Sequence, residues 1–168
     1  MDGEDIKSMK LYNFIDRVYN ELKEIGKEIE GDLSINELSS FDQLHYHGTE
    51  SIDFAIEKLN ISSNSKVLEI GSGIGGPSRY IAKKTGAKVT ALELQEDHHL
   101  VGIDLTKRCG LENNVEHLCG DFLDLKLKNQ IPPPPPPPHK IQYSGRPPEV
   151  AKFKPPQYFQ LLFFGGRK

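Results

Sequence analysis

Glu69-Ile70-Gly71-Ser72-Gly73-Ile74-Gly75-Gly76 places a carboxylate two residues ahead of a run of glycines, and a second acid, Glu93, follows 22 residues after Gly71. Where a strand turns into a helix, glycines let a ligand approach the backbone and the helix N-terminus offers free N–H donors. The spacing admits two kinds of ligand. Gly71, Gly73 and Gly76 fit the dinucleotide fingerprint, whereas Glu69, Gly71, Gly73 and Gly75 fit an acidic-x-Gly-x-Gly-x-Gly pattern. Glu69 separates them, because its carboxylate repels a pyrophosphate and suits a ligand carrying an ammonium or sulfonium. The alternative is a glutamate merely exposed at a strand end. Glu93, followed by Leu94, can accept both hydroxyls of a ribose, which serves either nucleotide. Asp121 can accept a hydrogen bond from an adenine amino group with Phe122 against the ring; taken alone it reads as a turn residue. Ser72, inside the glycine run, belongs to the same candidate set.

These residues need elements to hold them, and the pattern supplies a repeating pair. Lys66–Ile70 reads as a short apolar strand, Gly71–Gly76 as a loop, and Pro77–Thr85 as a helix with proline in its first turn and Gly86 at its end. Lys88–Leu92 is a second strand, Glu96–Cys109 a helix closed by Gly110, and Val115–Cys119 a third strand ending at Gly120-Asp121. Strands alternating with helices at this spacing predict a parallel sheet. Upstream, Leu11, Ile15, Val18, Leu22, Ile25 and Ile29 form a helical stripe broken by Gly26. Ser34-Ile35-Asn36-Glu37 has capping-box spacing, and Ile52, Ala55, Ile56 and Leu59 predict a helix over about Thr49 to Asn60. After Leu127 no fourth strand follows; Pro132–Pro138 reads instead as a polyproline II rod. The fold expected is α/β: a partial Rossmann-like, doubly wound parallel sheet with N-terminal helices and a proline-rich, disordered tail. It divides into an N-terminal helical cap (1–62), a partial cofactor-binding domain (63–128) and the tail (129–168). Three strands leave a sheet edge and apolar surface to cover, so marginal stability is expected.

Composition separates the same parts. The chain has 168 residues, enough for one compact domain. Residues 131–168 hold 11 of the 12 prolines and six Lys+Arg against one Glu, a net +5, while residues 1–130 hold 15 basic against 23 acidic residues, a net −8. That acidity argues against a nucleic-acid partner or an anionic membrane surface. Met1-Asp2-Gly3-Glu4-Asp5 lacks the basic flank and apolar run of a signal peptide, and no stretch approaches the ~18 apolar residues of a membrane span, so a cytoplasmic protein is expected. Cys109 and Cys119 read as two reduced thiols, and no metal is expected.

In combination the three sites resemble the class I S-adenosylmethionine-dependent methyltransferases. Val67–Gly76 is similar to that family's first motif, Glu93 to its ribose-binding acid and Gly120-Asp121-Phe122 to its adenine-binding turn. The resemblance implies S-adenosyl-L-methionine as cofactor. Phe41-Asp42-Gln43-Leu44-His45-Tyr46-His47-Gly48-Thr49-Glu50 resembles the segment that enters the domain in small-molecule methyltransferases acting on amines such as phosphoethanolamine, glycine or sarcosine, and in related quinone and sterol enzymes. By that resemblance Gln43, His45 and Tyr46 would lie near the methyl donor, and the partner would be a small-molecule methyl acceptor. The resemblance covers Leu11 to Leu125; the acceptor-orienting strands that follow in the family do not appear. The reading is therefore of a truncated methyltransferase, inactive if the acceptor half is missing, with a tail from truncation, alternative splicing or a frame change. No catalytic residue is assigned: His45, His47, His98 and His99 are available, with the His98-His99 pair expected in solvent. Two alternatives stand beside it, a non-catalytic module offering residues 132–148 to a proline-reading domain, and an NAD-type dinucleotide-binding fragment.

Overall fold

Short β-favouring runs bounded by glycine and asparagine give three strands, β1 (Lys66–Ile70), β2 (Lys88–Glu93) and β3 (Val115–Cys119), in a computed structural model that describes residues 16–27, 30–43 and 47–122. They form one parallel sheet in the order β1-β2-β3. Helices α1 (Asp16–Glu24), α2 (Ile35–Leu38) and α3 (Gly48–Leu59) precede the sheet, and α4 (Gly76–Thr85) and α5 (Glu96–Arg108) connect its strands. Among the described residues this is an α/β fold, N-terminal helices ahead of an open three-stranded parallel sheet that resembles part of a Rossmann fold. The flanks Leu11 and Ile29 of the first helical stripe, His45, Tyr46 and the whole of residues 129–168 lie outside the described residues.

The local signals acted as expected. Ser34 caps α2 in a complete capping box: its Oγ accepts from the Glu37 amide at 3.3 Å and its own amide donates to Glu37 Oε2 at 2.8 Å. Pro77 sits in the first turn of α4, and Gly86 ends that helix. β2 runs one residue further than its apolar pattern, to Glu93, because Glu93 O still accepts from the amide of Gly120 at 2.9 Å.

Register then sorts side chains into rows. Val67, Val89 and Val115 lie abreast, as do Glu69, Ala91 and His117 two residues further on. Both rows point to the face on which α4 and α5 pack. The first row builds a core with Ile81, Ala82, Ala87, Leu111, Ile35 and Ile52. A second cluster packs Val18, Leu22, Leu33 and Leu38 from the N-terminal helices and their connection onto Val101 and Leu105 of α5 and onto Ile74 of the glycine loop. On the opposite face Leu68 and Leu92 are buried too, so at these two positions the sheet is less open than three strands alone lead one to expect. No helix of the described residues is long and apolar enough to cross a membrane.

Candidate functional site

The parallel sheet brings the candidate turns to one end, the carboxyl ends of the strands, where ligands of open α/β sheets bind. Backbone bonds knit the turns together. Gly71 N and Ser72 N donate to Leu92 O at 2.8 and 3.0 Å, and Gly73 N donates to Glu93 Oε2 at 2.8 Å. The other carboxylate oxygen of Glu93 accepts from Gln95 N at 2.8 Å. Glu93 is nearly buried, Leu94 beside it is exposed, and Asp121 and Phe122 follow β3 half-buried. Gln43 lies beside Asp42, its Nε2 donating to Asp42 Oδ1 at 2.8 Å.

The glycines divide into two pairs. A side chain begun at Gly71 or at Gly73 (φ +54°) would meet nothing within 4 Å among the described residues, so the backbone there is open towards them. A Cβ at Gly75 (φ +80°) would stand 2.7 Å from His117 Cε1, and one at Gly76 would run into the carbonyl oxygen of Asp42. The first pair leaves room for a ligand, and the second lets the loop settle on what lies beneath it.

Beneath lies a layer of buried polar groups. Glu69 is 1% exposed; its Oε2 accepts from Ser78 Oγ, and among the described residues its Oε1 has no hydrogen-bond partner. Burial pushes this carboxyl up to about 7; Ser78 and Arg79 pull it down, and Glu93 adds to the rise. Ser72 Oγ is likewise buried and unpartnered among the described residues. Arg79 is fully buried and ion-paired with Asp42 at 3.0 Å. His117 Nε2 lies 2.8 Å from Thr106 Oγ1, and burial, with help from the Arg79 charge and His99, lowers this imidazole to about 4. His117 is thus a neutral wedge under Gly75 and Gly102.

One correction and two omissions follow. His98 is not in solvent: it is 4% exposed, with Nδ1 3.1 Å from Asp97 Oδ1, because His98, Val101, Gly102 and Leu105 form the inward stripe of α5. The alternative of Glu69 as an exposed strand-end residue is excluded, since Glu69 shares the inward row with Ala91. Arg79 and His117 were missed, though their periodicity marks them: Gly75, Ser78, Arg79 and Ala82 fall on one helical stripe, and His117 alternates in phase with Val115.

Among known proteins, the ribosomal RNA adenine dimethylase family matches residues 36–155. The chain is 33% identical over 87 residues to the methyltransferase GfsG of Streptomyces halstedii, covering 52% of this chain and 31% of that protein. It is 38% identical over 68 residues to the glycine/sarcosine/dimethylglycine N-methyltransferase of Actinopolyspora halophila, covering 40% and 12%. A solved RNA methyltransferase from Salinibacter ruber, in complex with S-adenosyl-L-homocysteine, is 20% identical with a TM-score of 0.47, covering 49% of this chain and 54% of its own. The chain spans less than a third of the length of these two curated relatives. The family match overturns the exclusion of nucleic acid drawn from the acidity of residues 1–130. Net charge sums a whole segment, whereas phosphate binding depends only on the cations of the face that meets it. S-adenosylmethionine is the cofactor that goes with this fold, and the residues present fit it: backbone at Gly71 and Gly73 open towards the described residues, the carboxylate of Glu93 at the same strand ends, and a buried carboxylate oxygen in Glu69 that is unpartnered among the described residues. The chain belongs, over residues 36–155, to the ribosomal RNA adenine dimethylase family and has the class I S-adenosylmethionine-dependent methyltransferase fold, homologous to small-molecule and nucleic-acid methyltransferases alike.

Proposed function

We propose that residues 16–122 form the donor-binding part of a methyltransferase that passes the methyl group of S-adenosylmethionine to a small-molecule acceptor. The observation that carries this reading is the open backbone at Gly71 and Gly73 beside Glu93. Glu93 would hold the ribose with the lone pairs left over from its two amide bonds. Asp121 and Phe122 would receive the adenine, and Leu94 would border it. Glu69 would offset the positive charge of the donor, and Gln43 and Tyr46 would lie along it. The cofactor supplies an electrophilic methyl on a sulfonium; this chain's residues bind and orient it.

The loop's hydrogen bonding speaks for a cationic donor over a dinucleotide. Gly71, Ser72 and Gly73 already donate their N–H groups within the protein, so a diphosphate would find those three donors taken. The small-molecule acceptor is supported by the curated relative named for glycine, sarcosine and dimethylglycine. The family match favours a second reading, transfer to an adenine of RNA. Because methyl transfer depends mainly on holding the acceptor in line, the acceptor-orienting part is proposed to lie outside residues 16–122, and turnover by this chain alone is expected to be low or absent.

Competition calorimetry separates the donors: S-adenosylmethionine binds and NAD does not displace it. Binding of NAD with no response to S-adenosylmethionine would overturn the proposal. Label transfer from methyl-labelled S-adenosylmethionine to sarcosine, compared with transfer to ribosomal RNA, decides between the acceptors.

A further inference from the structure

Arg79 is the largest fully buried side chain among the described residues, and none of the chemistry proposed above uses it. Its guanidinium joins three parts of the chain. Nη1 donates to Ile74 O, in the glycine loop, at 2.7 Å, and is within 3.5 Å of Gly102 O and 3.4 Å of Thr106 Oγ1 on α5. Nη2 donates to Asp42 Oδ2 at 3.0 Å. Asp42 holds Gln43 through its other oxygen, and its backbone carbonyl lies against Gly76. The loop is therefore fixed from two sides, by Glu93 through the Gly73 amide and by Arg79 through the Ile74 carbonyl. Glu93 ties the loop to Gln95 and Gly120, whereas Arg79 ties it to residues 41–43.

We infer that Arg79 is a positioning residue that sets the ligand-facing loop and residues 41–43 as one unit, through the Ile74 carbonyl on one nitrogen and the Asp42 carboxylate on the other. A planar fork can hold two acceptors at fixed angles, and an ammonium cannot reproduce that geometry. Asp42 has no other cation within ion-pair distance among the described residues, so removing Arg79 breaks both bonds and removing Asp42 leaves the buried guanidinium that holds Ile74 without its counter-charge. As a device for binding S-adenosylmethionine it rests on the donor site proposed above; as a coupling within the protein it does not.

The test uses hydrogen exchange on the full chain without cofactor, for wild type, Arg79→Lys, Asp42→Asn and the double variant. Lys84→Met, which removes the exposed Asp53 pair at the far end of α4, is the control. Each single variant is expected to speed exchange at least tenfold at residues 41–43 and at 72–76 together, with β2 and the control unchanged and the double variant no faster than the worse single. S-adenosylmethionine affinity should fall at least tenfold in the same variants at a temperature where all are folded. Exchange that rises uniformly over β1–β3, or segments that loosen separately with additive effects, would overturn the inference and leave Arg79 a general brace. A wild type that bound no S-adenosylmethionine would instead sink the donor-site reading, while the exchange data would still decide the coupling.

Discussion

Gly71 and Gly73 face space in which none of the described residues lies within 4 Å of an added side chain, and Gly75 and Gly76, two to five residues later, are pressed against His117 and Asp42. In sequence the four belong to one glycine run. In the fold they differ: on the proposed reading the first pair keeps side chains out of the place the donor needs, and the second keeps them out of the place the protein itself fills. The difference arises underneath, where α4 carries Ser78 and Arg79 inward and β3 carries His117 inward, so that the end of the loop rests on a polar layer in place of an aliphatic one. A glycine motif at a strand–helix turn therefore reports two constraints at once, and only one of them concerns the ligand.

Substitutions separate the two. Gly76→Ala has the largest expected effect on stability, about 3 kcal/mol, at the top of what overpacking costs, because the obstructing atom is a backbone carbonyl that cannot swing away. Gly75→Ala should cost about 2 kcal/mol and recover part of it in the background His117→Ala; urea unfolding measures both, and no recovery would mean that the wedge is not what Gly75 accommodates. The polar layer has a pH signature of intermediate size. Glu69, raised from 4.5 to about 7, contributes stability that is complete below about pH 4.5 and lost as pH rises to about 7. His117, lowered from 6.5 to about 4, contributes stability that is complete above about pH 6.5 and lost as pH falls to about 4. The slopes oppose each other over the shared window. Glu69→Gln removes one, so its urea midpoint should climb more steeply from pH 4.5 to 6.5 than that of wild type; parallel profiles would contradict the assignment. The smallest effect is expected far from the loop. Ser34→Ala removes the α2 cap, costs about 1 kcal/mol, and leaves S-adenosylmethionine affinity unchanged.

The strands, their parallel arrangement and the turns at one sheet end were legible because period and punctuation agree: Lys66–Ile70 and Val115–Cys119 are bounded by the same residues in sequence and in structure. The Ser34 capping box was legible for the same local reason. The polar layer was not, since charged and imidazole side chains are usually read as solvent-facing, and His98, Arg79 and His117 overrule that habit only when helical or strand phase is followed through them. Nor could the division of the glycines be read, because it depends on Asp42 and His117, which lie far from the loop in sequence. The acidity of residues 1–130 misdirected the expectation about nucleic acid, since a sum over a segment carries no information about any one face.

The most direct measurement on the central claim is calorimetric titration of S-adenosylmethionine into Gly73→Ala beside wild type. The added methyl meets no atom of the described residues, so the variant should fold, losing about 1 kcal/mol to the left-handed backbone at φ +54°. The account predicts that it binds S-adenosylmethionine at least tenfold more weakly than wild type. Equal affinities would place the donor away from the open half of the loop and contradict it.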